Sequence, residues 1–133
     1  MRIYIVLFIL LLTVSQAHAL SCAPPPGTPR DQIVDAYDRS DLVALVEQNS
    51  VFRHGELAIR AVWKGSPEPV ISVQFTWADL PEKGNFVVFA SKTDRGYEDA
   101  AICLFLWGQR EELLRDIYGA PVTLPSPGKK SKR

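Results

Sequence analysis

The chain has 133 residues, of which 47% are hydrophobic and 23% charged, with 15 basic and 15 acidic side chains. This composition is typical of a globular domain and excludes a collagen-like or wholly disordered chain. The length suits one domain rather than two independent cores. Two histidines and two cysteines leave few groups for metal binding or nucleophilic catalysis.

Residues 1–19 are predicted to be a signal peptide. Arg2 supplies the positive charge, residues 3–14 form an apolar run, and Ala17-His18-Ala19 places small residues where signal peptidase cuts. An apolar run of about 12 residues is shorter than the roughly 20 that a membrane-spanning helix needs. We therefore expect an exported protein, in the periplasm or in the extracellular medium.

Cleavage after Ala19 would make Leu20 the first residue of the mature chain. Three alternatives stay open: cleavage after Ser21, acylation of Cys22 as in a lipoprotein, and an uncleaved anchor.

The mature chain keeps two cysteines, Cys22 and Cys103, in an oxidising compartment. A disulfide between them would close a loop of about 80 residues and stabilise the fold by roughly 4.5 kcal/mol through the loss of chain entropy. Two reduced cysteines are the alternative. His54 lies in a predicted loop, and no cysteine–histidine spacing suits zinc. We therefore predict no cofactor, no metal site and no enzyme.

A short helix is predicted after the proline-rich segment. Thr28 is its N-cap, Pro29 occupies the first helical position, and Asp31 completes an acidic variant of the capping box, with the helix ending near Arg39. A second helix is predicted over residues 109–118, followed by Gly119 as the stop signal.

Five strand-like runs lie between the two helices, separated by turn residues. They cover residues 42–47, 56–63, 70–75, 86–90 and 100–106. In the second run, Leu57, Ile59, Ala61 and Trp63 alternate on one predicted face. In the fifth, Ala101, Cys103 and Phe105 do the same.

The order helix, five strands, helix predicts a mainly β fold, a small closed barrel of the OB type with a short N-terminal and a C-terminal helix. The predicted domains are a signal peptide over 1–19, the barrel over 20–120 and a basic disordered tail over 121–133. Residues 125–133 contain four basic side chains and no acidic one, so the tail is a candidate contact with anionic lipid.

Several short segments resemble a known family in their order and spacing. LSCAPP at 20–25 resembles the Cys-x-Cys-x-Pro-Pro start of mature tissue inhibitors of metalloproteinases. SDLV at 40–43, AVWKG at 61–65 and AICL at 101–104 resemble later strand segments of the same netrin-like module. The resemblance is strongest to small exported bacterial netrin-like proteins, over about residues 20–118. It implies an OB-fold.

The resemblance also implies a disulfide and a binding surface. Cys22 and Cys103 match the inhibitors' pairing cysteines. In the inhibitors, the amine and carbonyl of the first mature residue chelate the protease zinc, and a small hydroxyl residue follows. Leu20 and Ser21 match these positions, but Leu20 replaces a cysteine, so the second disulfide that anchors that N-terminus is missing. An unanchored N-terminus must be ordered on binding, which weakens affinity.

We therefore expect an exported, non-catalytic protein-interaction module with a protein partner, for which a protease is one candidate. Inhibition of a metalloproteinase through the mature N-terminus and a lipid-anchored envelope component are the alternatives. Export makes nucleic acid an unsuitable partner, and membrane contact requires lipidation of Cys22 or the basic tail. The predicted contact residues are Leu20, Ser21, Cys22, Ala23, Pro24, Trp77 and Tyr97.

Overall fold

The computed structural model describes residues 25–48, 56–75, 84–101, 104, 106 and 108–125. Two helices and six strands lie within these residues. The helices are α1 (Pro29–Arg39) and α2 (Arg110–Tyr118). The strands are β1 (Leu42–Gln48), β2 (Glu56–Lys64), β3 (Val70–Gln74), β4 (Gly84–Thr93), β5 (Gly96–Asp99) and β6 (Val122–Thr123). In the described part of the chain, neither helix is long and apolar enough to span a membrane.

Five strands close into a barrel. β1 pairs antiparallel with both β2 and β4, β2 with β3, and β4 with β5. A parallel pairing of β3 with β5, through Val73 opposite Tyr97 and Gln74 opposite Glu98, completes the circle. The predicted fold class is therefore confirmed: the chain forms a mainly β, OB-like barrel with one helix before the strands and one after them.

The barrel interior is filled by apolar side chains from β1, β2, β3 and β4. The cluster contains Leu42, Ala44, Val46, Leu57, Ile59, Val62, Ile71, Val73, Phe86, Val88 and Ala90. Phe75, Tyr97 and Leu124 pack against it from the ends and the edge.

A second apolar cluster lies outside the barrel, beneath the two helices. It joins Ile33 and Ala36 of α1 and Leu114 of α2 to the outward side chains of β1 and β4, among them Val43 and Phe89. β1 and β4 are therefore buried on both faces, which explains why their sequences are continuously apolar rather than alternating.

The start of α1 forms as predicted. The Asp31 amide donates to the Thr28 hydroxyl at 3.2 Å, and the Thr28 amide donates to the Asp31 carboxylate at 3.0 Å. Pro29 occupies the first helical position, and the helix ends at Arg39. This capping box supplies acceptors to amides that the first turn leaves without helical partners.

The predicted shared face of Leu57, Ile59, Ala61 and Trp63 is wrong at its end. Along β1, the single steps from Leu45 to Val46 and from Val43 to Ala44 each correspond to two residues on β2. Such bulges shift which residues point inward. Val62 therefore joins the barrel interior, while Trp63 packs against the helix-side cluster.

The predicted fifth strand over residues 100–106 is also misplaced. β5 is Gly96–Asp99, immediately after the two-residue turn at Asp94 and Arg95. None of the described residues of the 100–106 segment is in a strand, and the Leu104 amide donates to the Ala101 carbonyl at 2.9 Å. Ala101, Leu104 and Leu106 pack in the helix-side cluster with Leu114 of α2 instead, which accounts for the misleading apolar pattern.

The segment predicted as tail begins with ordered structure. β6 pairs antiparallel with β2, through Val122 opposite Val62 and Thr123 opposite Ala61. The next amide, of Leu124, donates to the Arg60 carbonyl at 3.0 Å, and Leu124 packs against the barrel interior cluster. Two apolar side chains between prolines were too short a pattern to indicate a strand.

Candidate functional site

Among the residues that the structure describes, the helices leave one side of the barrel uncovered. On this side, the outward residues of β3 and β5, including Ser72, Gln74 and Glu98, are exposed, whereas the inward Val73 is buried. Because apolar side chains fill the interior and the helices cover β1 and β4, this uncovered side is the surface open to a ligand or partner. OB barrels generally bind their ligands on the face formed by strands 2 and 3.

A concavity of about 420 Å³ opens on this side, between the start of β3 and the β4–β5 hairpin. We call it the β3 groove. The lining residues that matter here are Glu68, Val70, Ser72, Lys92, Asp94 and Tyr97. Its size falls in the ordinary range of ligand sites.

Gly96 determines the shape of the β3 groove. Its φ of 125° follows the turn at Asp94 and Arg95, and a Cβ atom there would lie 2.9 Å from the Ser72 carbonyl oxygen. Only glycine therefore allows β5 to approach β3 closely enough to close the barrel. The groove begins where this approach begins, since the ladder between β3 and β5 starts only at Val73.

The β3 groove carries a mixed but predominantly acidic set of charges. Among its described lining residues, Glu68 and Asp94 are anionic, Lys92 is cationic, and all three are exposed. A positively charged group is therefore favoured at the ends of the groove, although each exposed ion pair contributes only about 0–1 kcal/mol.

A second, more apolar concavity of about 360 Å³ adjoins the first, and both are lined by Ser66. Its walls include Trp63, Pro67, Val122 and Leu124. Val122 is 69% exposed, an unusual degree for an aliphatic side chain in a strand. The two concavities together form an open trough along the loop between β2 and β3.

A buried arginine fixes the segment that leads from β5 to α2. Arg110 is 1% exposed, and its guanidinium donates to the Val87 carbonyl at 2.9 Å and to the Leu104 carbonyl. Burial lowers the pKa of Arg110 to about 10, although the nearby Asp99 carboxylate favours the charged form. Arg110 therefore stays cationic at neutral pH, where it ties β4 to the segment that precedes α2.

Asp99, at the end of β5, is the acidic counterpart of this arrangement. Burial raises its pKa, while the Ala101 amide, which donates to the carboxylate at 3.1 Å, and Arg110 act in the opposite direction. Asp99 ends β5 and Arg110 begins α2, neither lines the β3 groove, and their hydrogen bonds are made to backbone groups. We therefore assign them a structural role.

A cluster of aromatic rings joins the ends of both helices to β2. The Tyr37 and Tyr118 rings stack with centroids 3.9 Å apart, and the Trp63 Nε1 donates to the Gly119 carbonyl at 3.0 Å. Lys64 lies 5.1 Å from the Tyr37 ring centroid and donates to the Tyr37 carbonyl. Burial raises the pKa of Tyr118. The aromatic and polar groups of this cluster are therefore partners of one another, and their contacts pack the helices onto the barrel.

Of the predicted contact residues, the structure describes Tyr97. It is half-buried, packs against the interior cluster and lines the β3 groove. The other predicted site residues, Leu20, Ser21, Cys22, Ala23, Pro24, Trp77 and Cys103, lie outside the described residues, as does His54. The predicted disulfide lies there too.

Glu68, Val70 and Asp94 are groove residues that sequence reasoning did not select. Glu68 precedes a proline and Asp94 lies in a hairpin turn, positions that are usually solvent-exposed and structurally ordinary. The signal that could have found them is the turn itself: a barrel strand must begin right after it, which places Asp94 beside β3.

Comparisons of the chain with family models, with curated proteins and with solved structures find no match. Among the described residues, no group of three or more His, Cys, Asp and Glu side chains is arranged to hold a metal ion. The structure itself therefore defines the class of this protein: an OB-like barrel whose open side carries two adjoining concavities.

Proposed function

We propose that this chain is an exported, non-catalytic protein-interaction module of the netrin-like type that binds its partner on the β3 groove. One observation carries the proposal: the concave part of the uncovered side lies beside β3, where Tyr97 adds an aromatic wall. β3 is also part of the strand 2–3 face with which OB barrels bind oligonucleotides and oligosaccharides. A half-buried tyrosine contributes contact area at small entropic cost, as at many protein interfaces.

The charge of the β3 groove favours a protein over a nucleic acid. Binding to a phosphate backbone depends on clustered Lys and Arg side chains. Glu68 and Asp94 present negative charge instead, with Lys92 as the cation among the described lining residues. A phosphate chain would be repelled, whereas a polypeptide can bring basic side chains of its own.

Export and the N-terminal contact are supported by sequence. Residues 1–19 have the pattern of a signal peptide, and residues 20–25 resemble the contact segment of the inhibitors. The Gln32 side chain donates to the Pro25 carbonyl at 2.7 Å and to the Gly27 carbonyl at 3.2 Å, so the first described residues are held against α1. Inhibition through Leu20 and lipidation of Cys22 stay predictions.

Site-specific photo-crosslinking in the cells that make the protein tests the groove assignment. A benzophenone amino acid replaces Ser72, which is exposed in the β3 groove, or Glu112, which is exposed on α2. We expect a discrete adduct from position 72 that protease, but not nuclease, destroys. The same adducts from both positions, no adduct, or a nuclease-sensitive adduct would contradict the proposal.

The mass of the intact exported protein tests the compartment and the cysteine chemistry together. We expect a chain beginning at Leu20 whose two cysteines react with an alkylating agent only after reduction. A chain that keeps residues 1–19, or an acylated Cys22 with a free Cys103, would contradict the predicted maturation. The second result would favour a membrane-tethered domain instead.

A further inference from the structure

The β3 groove contains an open stretch of sheet edge. The Ile59 amide donates to the Pro69 carbonyl at 2.9 Å, and Leu57 lies opposite Ile71. Because backbone groups alternate in direction along an antiparallel strand, Val70 and Ser72 point theirs away from β2. On that side, the described pairing with β5 begins only at Val73. The amide and carbonyl of Val70 therefore face the groove.

The hairpin leaves room beside this edge. β5 begins at Gly96, which lies against the Ser72 carbonyl, and the preceding turn residue Asp94 forms part of the opposite wall. If β5 were longer at its start, its extra residues would lie beside Val70. That position instead forms the floor of a concavity of about 420 Å³. An extended backbone entering there meets a donor and an acceptor in strand geometry.

From this edge and its charges we propose that the β3 groove receives an extended, basic peptide segment of the partner, which adds to β3 as a short strand beside Val70. The inference rests on the proposed function and names the chemistry of its partner. Strand addition uses main-chain hydrogen bonds for affinity and side-chain contacts for selection. Glu68 and Asp94 select Lys or Arg, and Tyr97 contacts the adjoining side chain.

The chain's own basic tail fits this role less well than a partner peptide does. Residues 125–133 carry four basic side chains, but they also include Pro125 and Pro127. Proline has no amide hydrogen to donate to a sheet edge and interrupts strand pairing. Both prolines precede the basic residues, so residues 128–133 keep their amides, but this stretch, GKKSKR, contains no β-branched or aromatic residue of the kind that favours a strand. The tail matches the charge of the groove but is a poor strand.

Selection from a library of random twelve-residue peptides displayed on phage tests the inference on the mature chain. We expect enriched peptides with Lys or Arg among β-branched residues. Their binding should weaken at least tenfold in the Glu68→Lys/Asp94→Lys variant. The Asp35→Lys/Glu112→Lys variant, with the same change of charge on exposed helix positions, should bind as the unaltered protein does. Equal loss in both variants would overturn the proposal.

Backbone methylation of a selected peptide separates strand addition from simple charge attraction. N-methylation at the one residue whose amide donates to the Val70 carbonyl should weaken binding about three- to tenfold, the equivalent of one main-chain hydrogen bond. Methylation at the residue on either side of it should have little effect. A uniform response along the peptide would overturn strand addition, and no selected peptide at all would do the same.

Two further outcomes assign the groove differently. If a variant ending at residue 125 binds the peptide at least tenfold more tightly, the tail occupies the groove and the partner-peptide proposal is wrong. If the crosslink from position 72 forms but no peptide is selected, the proposed interaction module is supported and the proposed strand addition is wrong. If the crosslink also fails, the proposed function itself falls.

Discussion

The two sides of the barrel are built on different principles. On the helix-covered side, β1 and β4 are seven and ten residues long, and their central side chains are buried on both faces. On the open side, β3 and β5 have five and four residues, and burial in β3 alternates. The first side buries apolar side chains on both faces, whereas the second buries them on one face and also depends on the close backbone approach at Gly96.

This difference indicates where the molecule can open and bind. Short strands with few buried apolar contacts have lower local stability than strands packed on both faces. The β3 groove lies at such a place, and its backbone edge is accessible because β5 is short. The helix-covered side, whose strands are packed on both faces, supports the open side when that side binds a ligand.

The largest expected effect tests the helix-covered side at Arg110. In the Arg110→Met variant, the buried Val87 and Leu104 carbonyls lose their donor. Each unsatisfied buried acceptor costs about 1–3 kcal/mol, so for two acceptors we expect the free energy of unfolding to fall by about 2–6 kcal/mol. Urea denaturation measures it.

Arg115→Met is the matched control for this change. Arg115 lies on the same helix, but it is exposed and pairs with Glu111 at 2.9 Å. Its loss should cost less than about 1 kcal/mol. Equal destabilisation by both variants would show that the buried donor contributes nothing beyond ordinary helix-surface chemistry.

The second effect tests the open side at Gly96. Gly96 and Gly84 both have positive φ, 125° and 104°, but a Cβ atom would meet the Ser72 oxygen only at Gly96. Gly96→Ala should lower the free energy of unfolding by about 2–3 kcal/mol, and Gly84→Ala by about 1 kcal/mol. Hydrogen exchange should speed up first in β3 and β5. Equal losses would show that the close approach is not what closes the barrel.

The sequence was sufficient to predict an element where its local residue pattern and the burial of its side chains indicate the same structure. The capping box at Thr28 and Asp31 depends on residues three apart, so it is visible without tertiary information. The continuous apolar runs of β1 and β4 predict buried strands. They are apolar throughout because both faces of these strands are covered. The Asp-Arg-Gly sequence at 94–96 is of a type that favours turns, and the structure has a turn at Asp94 and Arg95.

The sequence was insufficient where long-range contacts decide. Trp63 lies on the opposite face from the predicted one because β2 has two bulges. Those bulges arise from the pairing of β2 with β1, which the sequence of β2 does not show. The polar β5 was missed because the apolar residues after it, such as Leu104, serve the helices rather than the barrel. The exposed edge at Val70 is a property of where β5 begins, which no residue of β3 indicates.

A smaller effect is expected at the start of α1, on the helix-covered side. Thr28→Ala removes the capping hydroxyl and should cost about 1 kcal/mol, whereas Thr28→Ser keeps it and should cost less. The Thr28 hydrogen bonds lower the pKa of Asp31. Their contribution is therefore present above the unfolded-state pKa of Asp31 and is lost as pH falls through the folded value. Urea unfolding between about pH 2 and 7 should show a weaker acid dependence in Thr28→Ala; an unchanged dependence would contradict this.

The smallest effect lies where the two sides meet, at Asp99. Burial raises the pKa of this carboxyl, so its contribution to stability is greatest below the unfolded-state value and is lost as pH rises through the folded one. Asn keeps an oxygen to accept from the Ala101 amide. Asp99→Asn should therefore gain stability relative to the unaltered protein as pH rises from about 3 to 7, by less than Thr28→Ala loses. Urea midpoints measure it, with the exposed Glu98→Gln as control. If Asp99→Asn instead loses ground as pH rises, attraction between Asp99 and Arg110 outweighs burial, and a charge pair rather than apolar packing joins the open side to the helices.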